Sequence, residues 1–123
     1  MDFASQNTAI DKNELIHATL KVLGLTQSYK GFHYLFYAVN RALDDPEILT
    51  CVCKGLYDEI AFYYQTSTAC VERNIRTAKQ VIWHNSDPDM LRNIFGIRYD
   101  SKIPCNSIFI DKLTYYIEVM LDQ

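Results

Sequence analysis

The sequence predicts an all-α fold: a compact domain of six to seven helices with an embedded helix-turn-helix. Three observations predict it. Apolar residues recur at helical spacing along almost the whole chain. Helix-starting and helix-stopping residues punctuate those stretches. No run of strand-type alternation and no internal repeat survives inspection. The 123 residues suit one domain, and an apolar share of 49% can build its core. Four glycines and three prolines are too few for a linker-rich chain. We expect residues 1–10 to be a flexible lead-in and residues 11–123 to form one helical domain.

Asp11, with Glu14 three residues on, resembles a capping box and opens a helix over 12–23. Leu15, Ile16, Thr19, Leu20 and Leu23 give it an apolar face, and Gly24 ends it. A second helix spans about 31–43, with Leu35, Ala38, Val39, Ala42 and Leu43 as its stripe. Phe32, Tyr34, Phe36 and Tyr37 make its early part aromatic on most sides, which predicts a central helix. Asp44-Asp45-Pro46-Glu47 reads as a cap with proline at the first helical position, so a third helix should cover about 46–54. Its inward residues would be Ile48, Leu49 and Val52.

The helix-turn-helix covers about 56–84. Leu56, Ile60, Ala61 and Tyr64 share a face of its first helix. Gln65-Thr66-Ser67-Thr68 is the turn, with Ser67 or Thr68 as the next cap. Ala61 lets the second helix approach and Val71, ten residues later, seats it; Gln65 stands where such turns usually carry glycine. On the second helix, about 69–84, Val71, Ile75, Ala78 and Ile82 form the inner stripe. Arg73, Arg76, Thr77 and Gln80 cluster opposite, flanked by Glu72 and Lys79. An arginine-rich outer face fits a reader of the DNA major groove, but taken alone such a pattern more often marks an ordinary solvated helix face.

Ser86-Asp87-Pro88 stops that helix and opens a short one over 87–95, closed by Gly96. Residues 97–105 form a loop holding Arg98 and Lys102. Asn106 should cap a last helix over 107–122, with Phe109, Leu113, Tyr116, Ile117 and Met120 on its stripe and Ile110 and Leu121 widening it. That width predicts a central packing role ahead of a self-association face.

The net charge is −3, yet its distribution is uneven. Residues 68–102 carry six basic and four acidic side chains, whereas 1–67 carry five and eight and 103–123 one and three. Phosphate is therefore favoured mainly around the second helix of the motif. Cys51, Cys53, Cys70 and Cys105 form no CxxC pair, and His17, His33 and His84 are dispersed, so no metal or other cofactor is expected. Buried or half-buried free thiols in a reducing compartment are the reading. No apolar run approaches the roughly 18 residues of a membrane span, and no signal peptide is visible, so we expect a cytoplasmic protein with no membrane partner.

The segments KGFHYL (30–35), LYDEIA (56–61), VERNIRTAKQVIW (71–83) and NSIFIDKL (106–113) together resemble one family. It is the DNA-binding effector domain of the stage-zero sporulation master regulator, a response regulator of endospore-forming bacteria. The likeness spans about residues 12 to 121, and the run from Val71 to Trp83 is its most specific part. The resemblance implies a six-helix effector domain, binding to short boxes on double-stranded DNA, and a homodimer or tandem dimer on adjacent boxes. By position it implies that Arg73 and Arg76 contact guanine and phosphate and that Glu72 accepts from cytosine or orients an arginine. An arginine fork suits guanine O6 and N7, and a carboxylate suits cytosine N4. The family carries arginine at the place of Cys70, basic residues near Phe62 and Tyr63, a histidine at Thr77, a longer loop at 97–105 and a preceding receiver domain. A start at Met1 favours a free-standing module.

The leading expectation is a sequence-specific transcription regulator. Glu72, Arg73, Arg76 and Gln80 would read bases, and Thr68, Thr77, Lys79, Arg98 and Lys102 would contact phosphates. The alternative is a protein-interaction module that kept the fold, uses Phe62, Tyr63 and Trp83, and modulates a full-length response regulator. An enzyme is not expected. Cys70 near a helix start would favour a thiolate, but no histidine can be placed beside it as a base.

Overall fold

The structure, a computed structural model, describes residues 11–96 and 102–123. Among the described residues there are six α-helices and no strand: α1 (Lys12–Val22), α2 (Lys30–Asp44), α3 (Tyr57–Tyr63), α4 (Thr68–Asn85), α5 (Pro88–Phe95) and α6 (Asn106–Leu121). The expected lead-in, residues 1–10, and most of the 97–105 loop with Arg98 lie outside the described residues.

Local chemistry sets most boundaries. The Asp11 carboxylate accepts from the Asn13 N–H at 3.1 Å and opens α1. Gly24 closes it at φ +87, and the bonds Leu25 N–H to Leu20 O and Gly24 N–H to Lys21 O complete a Schellman end. Asp87 caps α5 at the Asp89 N–H, Pro88 takes the first helical position, and Gly96 ends the helix at φ +67.

Two expectations about the helices are corrected. Residues 46–54 are not one α-helix. Pro46–Thr50 is a 3-10 turn and Val52–Leu56 a π turn, with a break at Cys51 (φ −134, ψ 56). The Thr50 hydroxyl donates to the Glu47 carbonyl at 2.7 Å, the acceptor that a continuing α-helix would offer to the Cys51 N–H. Cys51 N–H turns to Ile48 O instead, and its own carbonyl accepts from both Gly55 and Leu56. The offset buries Val52 and Leu56 while Ile48 and Leu49 are only half-buried. The second correction is Asn106, which is the first residue of α6 and not its cap. Cys105 holds the cap position with no side-chain bond to the helix backbone, because the Asn106 amide bonds to other elements.

α2 is central. It packs against α1, α3, α4 and α6, burying Phe32, Tyr34, Leu35, Ala38, Val39 and Ala42. α6 packs against α1, α2, α4 and α5 and buries Phe109, Ile110, Leu113 and Ile117, as its wide stripe predicts. Phe109 stacks on Phe95 with centroids 4.8 Å apart, and Phe95 meets Trp83 at 5.2 Å. The cysteines are free, but Cys51, Cys53 and Cys105 are exposed and only Cys70 is half-buried. The break at Cys51 turns Cys51 and Cys53 outward, so the expectation of buried or half-buried thiols holds for Cys70 alone.

Candidate nucleic-acid interface

α3 and α4 form the helix-turn-helix. α3 buries Ile60 and Ala61 against the fully buried Val71, Ile75, Ala78 and Ile82 of α4. The turn between them repeats the end of α1. Thr66 N–H bonds to Ala61 O at 2.9 Å and Gln65 N–H to Phe62 O at 3.3 Å, with Gln65 at φ +55. Gln65 thus takes a left-handed conformation that glycine adopts without strain. Ser67 then caps α4, its hydroxyl accepting from the Cys70 N–H at 3.1 Å.

Four struts hold α4 in place, and sequence reasoning identified none of them. Gly31 lets α2 reach α4: a Cβ there would lie 2.6 Å from the Ala78 Cβ and closer still to the Asn74 carbonyl oxygen. The Asn106 amide donates to the Tyr57 hydroxyl at 3.0 Å and to the Glu72 carbonyl at 3.4 Å, tying α6 to both helices of the motif. The Ser86 hydroxyl donates to the Leu23 carbonyl at 2.8 Å and pins the far end of α4 to α1. Lys79 is the fourth. It is 7% exposed, and its ammonium donates to the Pro104 carbonyl at 2.8 Å. Burial lowers its pKa from the ordinary lysine value. The expectation that Lys79 flanks the outer face is therefore corrected. At helical spacing it lies one residue after Ala78, close enough to the inner stripe for the 102–105 segment to cover it.

The outer face is as expected for the rest. Arg73, Arg76, Thr77 and Gln80 are exposed, and Thr68 is exposed in the first turn. Glu72 is half-buried and accepts from the Arg76 guanidinium one turn on. That bond holds the Glu72 carboxyl below its usual range. Arg73 has no carboxylate partner among the described residues. Lys102 is exposed, two residues before Pro104. A cavity of about 700 Å³ opens beside this face, between residues 49–54, α4 and the start of α6. Its lining includes Lys54, exposed and unremarked in the sequence, together with Glu72 and Arg76.

Cys70 is bound into the turn. The Asn74 amide donates to its carbonyl at 2.8 Å and approaches its sulfur at 3.3 Å. A hydrogen bond from the Thr66 hydroxyl, assisted by Tyr34, Lys30 and Arg73, lowers the thiol pKa. His84 faces Gln80 O, more than three turns along α4, so it cannot serve this thiol as a base. Trp83 is half-buried against Phe95 and offers little surface, unlike Phe62 and Tyr63, which are 87% and 66% exposed.

A short helix, a left-handed turn and a second helix, seated on its inner face and arginine-bearing on its outer face, define a helix-turn-helix domain of the kind that inserts a helix into DNA. Residues 16–117 match the family described as "Sporulation initiation factor Spo0A C terminal". The match covers most of the chain, which therefore belongs to that family, a family of DNA-binding effector domains. No helix among the described residues is long and apolar enough to cross a membrane.

Proposed function

We propose that residues 11–123 act as one effector domain that binds double-stranded DNA sequence-specifically and regulates transcription, with α4 lying in the major groove. The observation that carries the reading is the outer face of α4. Its arginines stand on a helix whose inner residues are fully buried and whose backbone is braced from α1, α2 and α6. A reading helix must be held rigidly, because a bidentate contact tolerates little displacement.

Arg73, which has no carboxylate partner among the described residues, is the first base reader. Arg76 and Glu72 act as a pair, the carboxylate orienting the fork and accepting from a cytosine amino group when docked. Gln80 reads one turn further. Thr68, Thr77, Lys102 and Arg98 hold phosphates, and Lys54 joins them from the cavity wall. Lys79 braces the 102–105 segment and does not touch DNA. Domains pair on adjacent boxes.

Fluorescence anisotropy with duplexes carrying the family's box, against scrambled duplexes, tests this. Arg73→Ala and Arg76→Ala should each cost about 1–3 kcal/mol and relax base preference. Equal binding of box and scrambled duplexes at low salt would sink the base-reading proposal.

A further inference from the structure

The end of α3 and the facing side of α2 form a surface that the DNA reading leaves unused. Tyr63 lies 5.3 Å from Tyr37 and 4.9 Å from Tyr64, ring centroid to centroid, and Tyr64 lies 5.2 Å from Tyr34. Tyr37, Tyr63 and Tyr64 line a groove of about 390 Å³ that also takes in Phe36, Arg41 and Asp44, with Tyr34 buried behind Tyr64. Phe62, next to Tyr63 in the chain, is 87% exposed. Aromatic surface this exposed favours contact with another molecule.

The charge around these rings decides which molecule. α3 carries two acidic residues and no basic one. Asp58 and Phe62 are four residues apart on one helix face, and so are Glu59 and Tyr63. Arg41, the cation in the groove, is already neutralised. It makes two bonds to the Glu59 carboxylate, at 2.8 and 3.2 Å, and a further ion pair to Asp45 at 3.4 Å. Lys12 is likewise paired with Asp44 at 2.9 Å. Asp58 is exposed and has no ion-pair partner among the described residues. Phosphate is disfavoured beside these carboxylates. A guanidinium or ammonium is favoured twice, by the ring faces and by the acids one turn away.

We propose that the exposed side of α3 beside this groove docks a cationic segment of a partner protein, its arginine or lysine side chains stacking on Phe62 and Tyr63 and pairing with Asp58. The surface is separate from the outer face of α4, so the proposal holds whether or not α4 reads DNA.

The test uses the full chain and a fluorescein-labelled peptide of about a dozen residues alternating arginine and glycine, with a glutamate–glycine peptide of equal length as control. Anisotropy should show binding of the basic peptide only. Phe62→Ser with Tyr63→Ser should weaken it at least about tenfold, and the milder Asp58→Asn about threefold, with helix content by circular dichroism unchanged. Duplex binding should be the same in all three proteins. The proposal is overturned if the basic peptide fails to bind or binds the variants as tightly as the parent. It is also overturned if sedimentation shows self-association that the serine variant abolishes, which would make a second copy the occupant. Loss of duplex binding in the serine variant would assign the surface to DNA and overturn it too.

Discussion

Gly31 and Lys79 show how single residues position α4 without touching its outer face. A methyl group at Gly31 has no room, since the atoms it meets belong to the α4 backbone and to Ala78. Gly31→Ala should cost about 1–3 kcal/mol in urea unfolding and should weaken duplex binding by displacing α4. Burial disfavours the charged form of Lys79, so burying its ammonium opposes folding. Its folded pKa lies below the ordinary 10.5. As pH rises through that folded value toward 10.5, the unfolded chain keeps the proton longer and the cost is relieved. The stability of the parent relative to Lys79→Met should therefore rise as the pH climbs toward 10.5. A flat or falling difference would mean that the ammonium is solvated.

At the scale of elements, the turn of the helix-turn-helix carries local strain. Gln65 at φ +55 occupies a conformation that costs a side chain about 1–2 kcal/mol. Glycine would relieve that cost but lose about 0.5–1 kcal/mol through unfolded-chain entropy. Gln65→Gly should thus leave stability unchanged or raise it by up to about 1 kcal/mol, read from the urea midpoint. A marked loss would show that the Gln65 side chain makes a stabilising contact. The 46–56 segment shows the opposite case, where a side-chain hydroxyl at Thr50 redirects a helix that the apolar pattern alone predicts to continue.

At the scale of the molecule, the net charge of −3 limits non-specific attraction to DNA. With Lys79 withdrawn, the cations proposed to meet DNA are Arg73, Lys54, Arg98 and Lys102, besides the Glu72-paired Arg76. The slope of log affinity against log salt should then be shallow, about −3 to −4, in anisotropy titrations over roughly 50–200 mM salt. Lys79→Met should leave it unchanged, whereas Lys102→Ala should flatten it by about one. A slope change for Lys79→Met would return that lysine to the phosphate contacts.

The all-α class, the cap at Asp11, the cap of α4 to within Ser67 or Thr68, the opening of α5 at Ser86-Asp87-Pro88, the glycine ends and the buried stripe of α4 were legible in the sequence. Each rests on interactions within a few residues, namely helical periodicity and side-chain bonds to the nearest free N–H groups. The outer face of α4 was legible for the same reason, because it is the complement of the stripe. What only the tertiary structure decided lies between distant segments. Lys79 could be assigned inward only once Pro104, twenty-five residues on, supplied a carbonyl for it. Asn106 was drawn from its expected cap to Tyr57 and Glu72, forty-nine and thirty-four residues back. The closeness of α2 to α4 at Gly31, and the joining of Tyr37 to Tyr63 in one aromatic wall, likewise depend on how helices cross. Sequence periodicity states which face of a helix is buried; only packing determines which partner buries it, and that partner selects the groups left to meet DNA or protein.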